Sequence, residues 1–157
     1  MTVIVLALLI GIVAGLRAMT APAAAAFGAR FGAFAVAGTP LAFMGYAWTP
    51  WLLGAAAVSE LITDQLPSTP SRKVPVQFTA RVVSGALSGA TLTAPSGSVV
   101  SGIIAGIIGA VIGTLGGAAF RARLATAFGK DRPAGIIEDV VAIVAALAIV
   151  TAPSMMK

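Results

Sequence analysis

The sequence predicts an all-α protein built as a polytopic transmembrane helical bundle. Of its 157 residues, 59% are hydrophobic and only 10% are charged, whereas a soluble domain has about 25% charged residues. Long stretches without any charged residue recur along the chain, at 2–16, 41–59, 99–120 and 140–152. Lipid suits such stretches better than water does, and the short alternating pattern of membrane β-strands is missing from the sequence.

We predict one integral membrane domain over residues 1–157 with about six membrane segments. No Lys or Arg precedes Arg17, so the first segment is interpreted as a retained helix and not as a signal peptide. Pro22 lacks an N–H and clashes with the carbonyl of Ala18, which predicts a kinked or broken first helix just after Arg17. The second segment is interrupted by Gly38-Thr39-Pro40. The six segments are 3–22, 32–47, 50–66, 80–95, 98–120 and 135–152.

The basic residues predict how the bundle is oriented in the inner (plasma) membrane of a bacterium. Eight of the ten lie in or beside the connections that follow segments one, three and five: Arg30, Arg72, Lys73, Arg81, Arg121, Arg123, Lys130 and Arg132. The positive-inside rule makes this face cytoplasmic and places both termini outside. Tyr46, Trp48 and Trp51 lie at the opposite turn, as interfacial aromatic residues do. A dual topology is the alternative, because the termini carry little charge.

Glycines line one face of the fifth segment at spacings of 4, 3, 4 and 4 residues: Gly102, Gly106, Gly109, Gly113 and Gly117. The fourth segment offers a matching face of small residues that begins after Arg81 with Ser84 and Gly85 and ends with Ser88 and Gly89. Small residues let helix backbones approach closely in lipid. The pattern predicts packing between helices of one chain, with a homo-oligomer interface or a glycine-lined pore as alternatives.

Several charged residues lie where a membrane helix has few. Glu60 and Asp64 are four residues apart and therefore share one face of the third segment. Each charge at the centre of a membrane helix costs about 2.5–3.5 kcal/mol. We therefore predict a polar cluster in the cytoplasmic half of the bundle that binds a substrate or an ion. Its members are Arg17, Glu60, Asp64, Arg81, Glu138 and Asp139.

Simpler roles for these charged residues remain open. Arg17 either faces inward and pairs with Glu60 or Glu138, or extends to the membrane surface. Asp64 and Asp139 are alternatively solvated residues at helix ends. An acid near the start of the sixth segment also suits the positive end of the helix dipole.

Four elements, taken in order, resemble a known family. GLRAMTAPA, SELITDQLP, ARVVSGALSGA and IIEDVVAI are similar to elements of the small bacterial integral membrane proteins grouped as domain of unknown function 4126. The resemblance covers nearly the whole chain. It implies that Arg17, Arg81 and the Glu138-Asp139 pair belong to the family pattern, together with an acidic element that ends at Pro67. It supports the polar cluster and implies no activity.

The composition excludes several kinds of chemistry. The chain has no Cys and no His, which excludes thiol catalysis, disulfides and sites that depend on His. We expect a protein that transports or binds a small solute, ion or anionic lipid through the cluster. The alternative is a non-catalytic accessory or scaffold membrane protein whose buried ion pairs are structural. We expect no enzymatic activity, cofactor, metal or nucleic-acid partner. The expected partners are the lipid bilayer and further copies of the chain.

Overall fold

Helices are the regular elements of the computed structural model, which describes residues 2–64 and 74–155. The all-α prediction is confirmed over these residues, which contain six α-helices and no strand. The helices are α1 (Thr2–Leu16), α2 (Thr20–Arg30), α3 (Thr49–Thr63), α4 (Pro75–Thr93), α5 (Val99–Phe128) and α6 (Asp131–Met155). Short 3-10 turns occur at Ala42–Gly45 and Ala94–Ser96. The predicted connection that carries Pro67, Arg72 and Lys73 lies outside the described residues.

Two of the described helices, α5 and α6, are long and apolar enough to cross a membrane, and each contains an 18-residue window with a mean hydropathy of 2.2. Only 39% of this window is buried inside the protein in each helix, so the rest of the window is partly or fully exposed. The helix α1 is apolar but has only 15 residues. Among the described helices, only two of the six predicted segments therefore meet the length and hydropathy of a membrane span. The helices α2 and α3 are short, and α4 carries several polar residues.

The first predicted segment is broken, as the sequence indicated. The helix α1 ends at Leu16 and α2 begins at Thr20, so that Arg17, Ala18 and Met19 lie between two helices. Pro22 falls in the first turn of α2, where a missing N–H costs no helical hydrogen bond. In a continuous helix Pro22 would clash with the carbonyl of Ala18, so the proline favours a new helix that begins after Ala18.

The second predicted segment, 32–47, is not a helix. Its residues form turns around the 3-10 turn Ala42–Gly45. Gly32 and Gly38 adopt positive φ angles of 86° and 77°, which interrupt a right-handed helix. The prediction was wrong because the apolar composition of this stretch was given more weight than its glycines and Pro40.

Close backbone contacts at glycines show the relative directions of three helices. A β-carbon at Gly109 would overlap the carbonyl oxygen of Leu8, and one at Gly113 would overlap that of Ile12. The residue numbers of α1 and α5 rise together along this contact, so the two helices run parallel.

The contact between α4 and α5 has the opposite sense. A β-carbon at Gly85 would lie 2.6 Å from the carbonyl oxygen of Gly106, whereas Gly89 meets Gly102. The residue numbers change in opposite directions, so α4 runs antiparallel to α5. The glycine face of α5 is thus filled by α1 and α4 of the same chain, which confirms the prediction of packing within the chain. Gly117, the last glycine of the predicted face, is also buried.

Further contacts order the remaining helices. Glu60 of α3 binds Ala18 and Met19 at the start of α2, and Phe27, in the later part of α2, packs edge-on against Trp51 at the start of α3. The helices α1, α3 and α5 therefore run towards one end of the bundle, and α2, α4 and α6 run away from it. We call this end the charged end; it contains Arg17, Glu60, Asp64, Arg81, Arg121, Glu138 and Asp139.

The opposite end, which we call the aromatic end, contains Phe27, Tyr46, Trp48 and Trp51. Arg30 lines a pocket there together with Trp48 and Trp51. The prediction that Arg30 shares a face with the other basic residues is therefore wrong. The reason is the early reversal of the chain after Arg17, which turns α2 back towards the aromatic end.

Candidate functional site

The break between α1 and α2 leaves backbone carbonyl groups without helical partners. The last carbonyls of any α-helix have no amide of the same helix to accept from. At the end of α1, Arg81 supplies the missing donors: its Nη1 donates to the carbonyl oxygens of Gly15 at 2.9 Å and Leu16 at 2.6 Å. A cation at this position also suits the negative end of the helix dipole. Arg81 itself is buried.

The backbone amides on the other side of the break are bound by Glu60. The amide of Ala18 donates to Oε1 of Glu60 at 2.8 Å, and the amide of Met19 donates to Oε2 at 2.7 Å. A carboxylate here suits the positive end of α2. Glu60 also lies 3.8 Å from Nη2 of Arg81, so the residues that cap the two helix ends form an ion pair with each other.

Arg17 occupies the break itself and is completely buried. Its Nη1 pairs with Asp64 of α3, and its Nη2 pairs with Asp139 of α6. The inward orientation predicted for Arg17 is found, but the predicted partners, Glu60 and Glu138, are wrong. The spacing of the acids predicts which helix face they share. It does not predict which of them lies level with Arg17.

Glu138 belongs to a neighbouring ion pair. Its side chain is buried and lies 3.5 Å from Nη1 of Arg121, which the sequence analysis placed in a loop. Arg121 is instead part of α5 and also donates to both carboxylate oxygens of Asp131, at 3.0 and 2.6 Å. The sequence contains the signal for this longer helix, because neither Gly nor Pro occurs between Phe120 and Phe128.

Five of the six predicted site residues therefore meet at the break, and Glu138 lies beside them. Successive residues of a helix point about 100° apart, so Asp139 can face Arg17 while its neighbour faces Arg121. The five residues are Arg17, Glu60, Asp64, Arg81 and Asp139. Two arginines and three carboxylates give this set a net formal charge of −1 (2 − 3).

Thr20 is a buried polar residue beside the break that was not among the predicted site residues. It starts α2 and is buried, and its hydroxyl makes no hydrogen bond with any residue the structure describes. The Nε of Arg17 likewise has no hydrogen-bond partner within the described part of the chain. The break thus contains two buried polar groups without a described hydrogen-bond partner. The only sequence signal was the position of Thr20 between Arg17 and Pro22.

The break lies level with an apolar part of α5. Gly15 packs against Ala110 and Thr114, and the stretch of α5 without charges continues to Phe120. At 1.5 Å per residue, the break therefore lies about 9 Å short of the end of that stretch. Irregular backbone at such a depth in a membrane must be buried in protein or face water. Over the described residues, no group of three or more acidic residues is placed to hold a metal ion.

Comparison with models of protein families, with curated proteins and with solved structures finds no match to this chain.

Proposed function

We propose that the chain is a small multi-pass protein of the bacterial inner membrane, related to the domain of unknown function 4126 proteins, with its charged end cytoplasmic. We further propose that it transports or binds a small solute or ion at the break between α1 and α2. The membrane placement is supported by the two long apolar helices, by the outward-facing apolar residues and by the low charge content.

The observation that carries the proposal is the interrupted helix pair. The backbone carbonyls at the end of α1 and the backbone amides at the start of α2 bind charged side chains from other helices. Arg81 binds the end of α1 and Glu60 binds the start of α2. Secondary transporters bind substrates and coupling ions at the ends of interrupted helices. Ionisable residues inside membrane segments commonly mark the paths of ions or substrates.

The charges favour a cation as the transported or coupling species. Three of the five residues at the break are carboxylates, and carboxylates inside membrane segments commonly form proton relays and cation paths. Glu60 is the acid that joins the start of α2 to Arg81. Loss of its negative charge, as in Glu60→Gln, would weaken its contacts with the amides of Ala18 and Met19 and with Arg81.

The packing of α3 suggests how the loss of this charge would move the protein. The helix α3 packs mainly against α2 and the 3-10 turn Ala42–Gly45. At the charged end it is held through Glu60 and Asp64. Loss of the Glu60 contacts would leave that end of α3 held through Asp64, and we propose that the loosened end opens the break to the cytoplasm.

The test is a flux measurement on the full chain in lipid vesicles. Proteoliposomes loaded with a pH-sensitive dye are given a membrane potential, and proton entry is followed with and without other small cations. We expect flux with the wild-type chain and at least a tenfold loss with Glu60→Gln. Asp131→Asn is the matched control, because Asp131 is an exposed acid at the same end and should leave the flux unchanged.

A second candidate function is a non-catalytic scaffold, which is favoured by the pairing of each candidate charge with an opposite charge. On this hypothesis the wild-type vesicles carry no flux, and Glu60→Gln lowers only the thermal stability in detergent. Flux in the wild type that is lost in Glu60→Gln, with an unchanged melting temperature, would eliminate the scaffold hypothesis.

We also propose that the working unit is a homo-oligomer, because one chain of 157 residues is small for a transporter. The interface would lie outside the part of the glycine face that α1 and α4 fill, which contains Gly102, Gly106, Gly109 and Gly113. Cross-linking in native membranes tests this proposal.

A further inference from the structure

The turn between α5 and α6 forms a separate feature of the charged end. The helix α5 ends at Phe128, Gly129 adopts a positive φ of 66°, and α6 begins at Asp131. This tight connection and the first turns of α6 border a shallow, open surface cavity of about 490 Å³. The residues that line it are Phe128, Lys130, Arg132, Pro133, Ile136 and Ile137.

The lining of this cavity is almost wholly apolar, and Lys130 and Arg132 contribute the carbon chains of their side chains to it, with their charged groups outside the lining. Lys130 and Arg132 are exposed, and neither forms an ion pair with any residue in the described part of the chain. Asp131 lies between them in sequence but does not line the cavity, and both of its carboxylate oxygens bind Arg121. The positive charges of Lys130 and Arg132 beside the cavity are therefore not balanced by the acid between them in sequence.

We propose that this cavity binds an anionic phospholipid, with the headgroup phosphate at Lys130 and Arg132 and an acyl chain along Phe128 and Ile136. The proposal rests on the membrane placement proposed above, but not on transport. Basic pockets beside membrane helices on the cytoplasmic side attract anionic headgroups. The apolar lining favours a phospholipid over a free phosphate ion, which would gain nothing from Phe128 or Ile136.

Native mass spectrometry of the full chain in detergent provides the test, with phosphatidylglycerol as the probe and phosphatidylcholine as the neutral lipid. We expect phosphatidylglycerol to bind more tightly than phosphatidylcholine. A cation near the membrane surface contributes about fivefold in affinity, so Lys130→Gln with Arg132→Gln should weaken phosphatidylglycerol binding about 25-fold. Binding of phosphatidylcholine should not change. Arg132→Gln alone should weaken phosphatidylglycerol binding about fivefold. This single variant keeps the test decisive if the double variant does not fold.

Arg123→Gln is the matched control, because Arg123 is an exposed cation near the end of α5 that does not line the cavity. An equal loss of affinity in Arg123→Gln would overturn the site in favour of general surface attraction. Equal binding of both lipids, or displacement of phosphatidylglycerol by an equal concentration of inorganic phosphate, would also overturn it. A chain that is found in the membrane fraction but lacks lipid selectivity refutes this proposal alone. A chain absent from that fraction refutes the membrane placement as well.

Discussion

Replacing Arg17 with methionine tests whether the break is held together by its buried charges. Methionine keeps much of the length of the side chain but removes both ion pairs, so Asp64 and Asp139 lose their shared cation. Breaking one partner out of a buried pair costs about 3–5 kcal/mol. Arg17 is fully buried, but the two carboxylate side chains are each 16% exposed. Because water can partly solvate the acids, we expect a loss near the lower bound, about 3 kcal/mol in the free energy of unfolding.

The measurement is equilibrium unfolding of the purified chain in mixed micelles of increasing denaturing detergent. Trp48 and Trp51 supply the fluorescence signal, and both lie at the aromatic end, away from the substitution. The triple variant Arg17→Met, Asp64→Asn, Asp139→Asn is the control, since it removes both acids together with the arginine. We expect the triple variant to recover at least half of the loss, because a buried ion pair contributes little relative to neutral groups of similar size.

Two results would refute this reasoning. A loss below about 1 kcal/mol for Arg17→Met would mean that Asp64 and Asp139 are solvated or otherwise compensated, as for an exposed pair. A triple variant as unstable as the single variant would mean that Arg17 acts through its shape and packing, and that its charge contributes little.

Two further predictions concern packing and the unpaired hydroxyl. Gly109→Ala should destabilise the fold by about 1–3 kcal/mol in the same unfolding assay, because the new methyl group would meet the backbone of Leu8. Gly116→Ala should cause no loss, since a β-carbon at Gly116 has open space around it; equal effects of the two changes would contradict the helix contact. Thr20→Val should leave stability unchanged or raise it by about 1 kcal/mol, because it removes a buried hydroxyl without a described partner. The same variant should lose flux in vesicles, and unchanged flux would remove Thr20 from the site.

The sequence was most informative where one residue has a strong local effect. Pro22 predicts the break after Arg17, and the glycine spacing of α5 predicts a close helix contact; both features are present. Local signals failed at 32–47, where an apolar composition suggested a segment that the glycines prevent. The reversal of the chain at the break then placed Arg30 at the aromatic end.

The partners within the site were harder to predict for a physical reason. Glu60 and Asp64 share a helix face, so the sequence indicates that both point towards the bundle. Which acid meets Arg17 depends on the rotation and height of α3 relative to α1, and these are set by packing far from the charges. The distinct roles of Glu60, which binds backbone amides, and Asp64, which pairs with Arg17, therefore required the three-dimensional structure.

The caps of the α1–α2 break have a consequence for biosynthesis. Glu60 is 42 residues downstream of the amide of Ala18, and Arg81 is 66 residues downstream of the carbonyl of Gly15. While the ribosome is still translating the region after α2, the polar turn has neither cap and must find water or another partner. The first two helices can therefore reach their final arrangement only after α4 has been made. The N-terminal part of the chain, although synthesised first, is completed late.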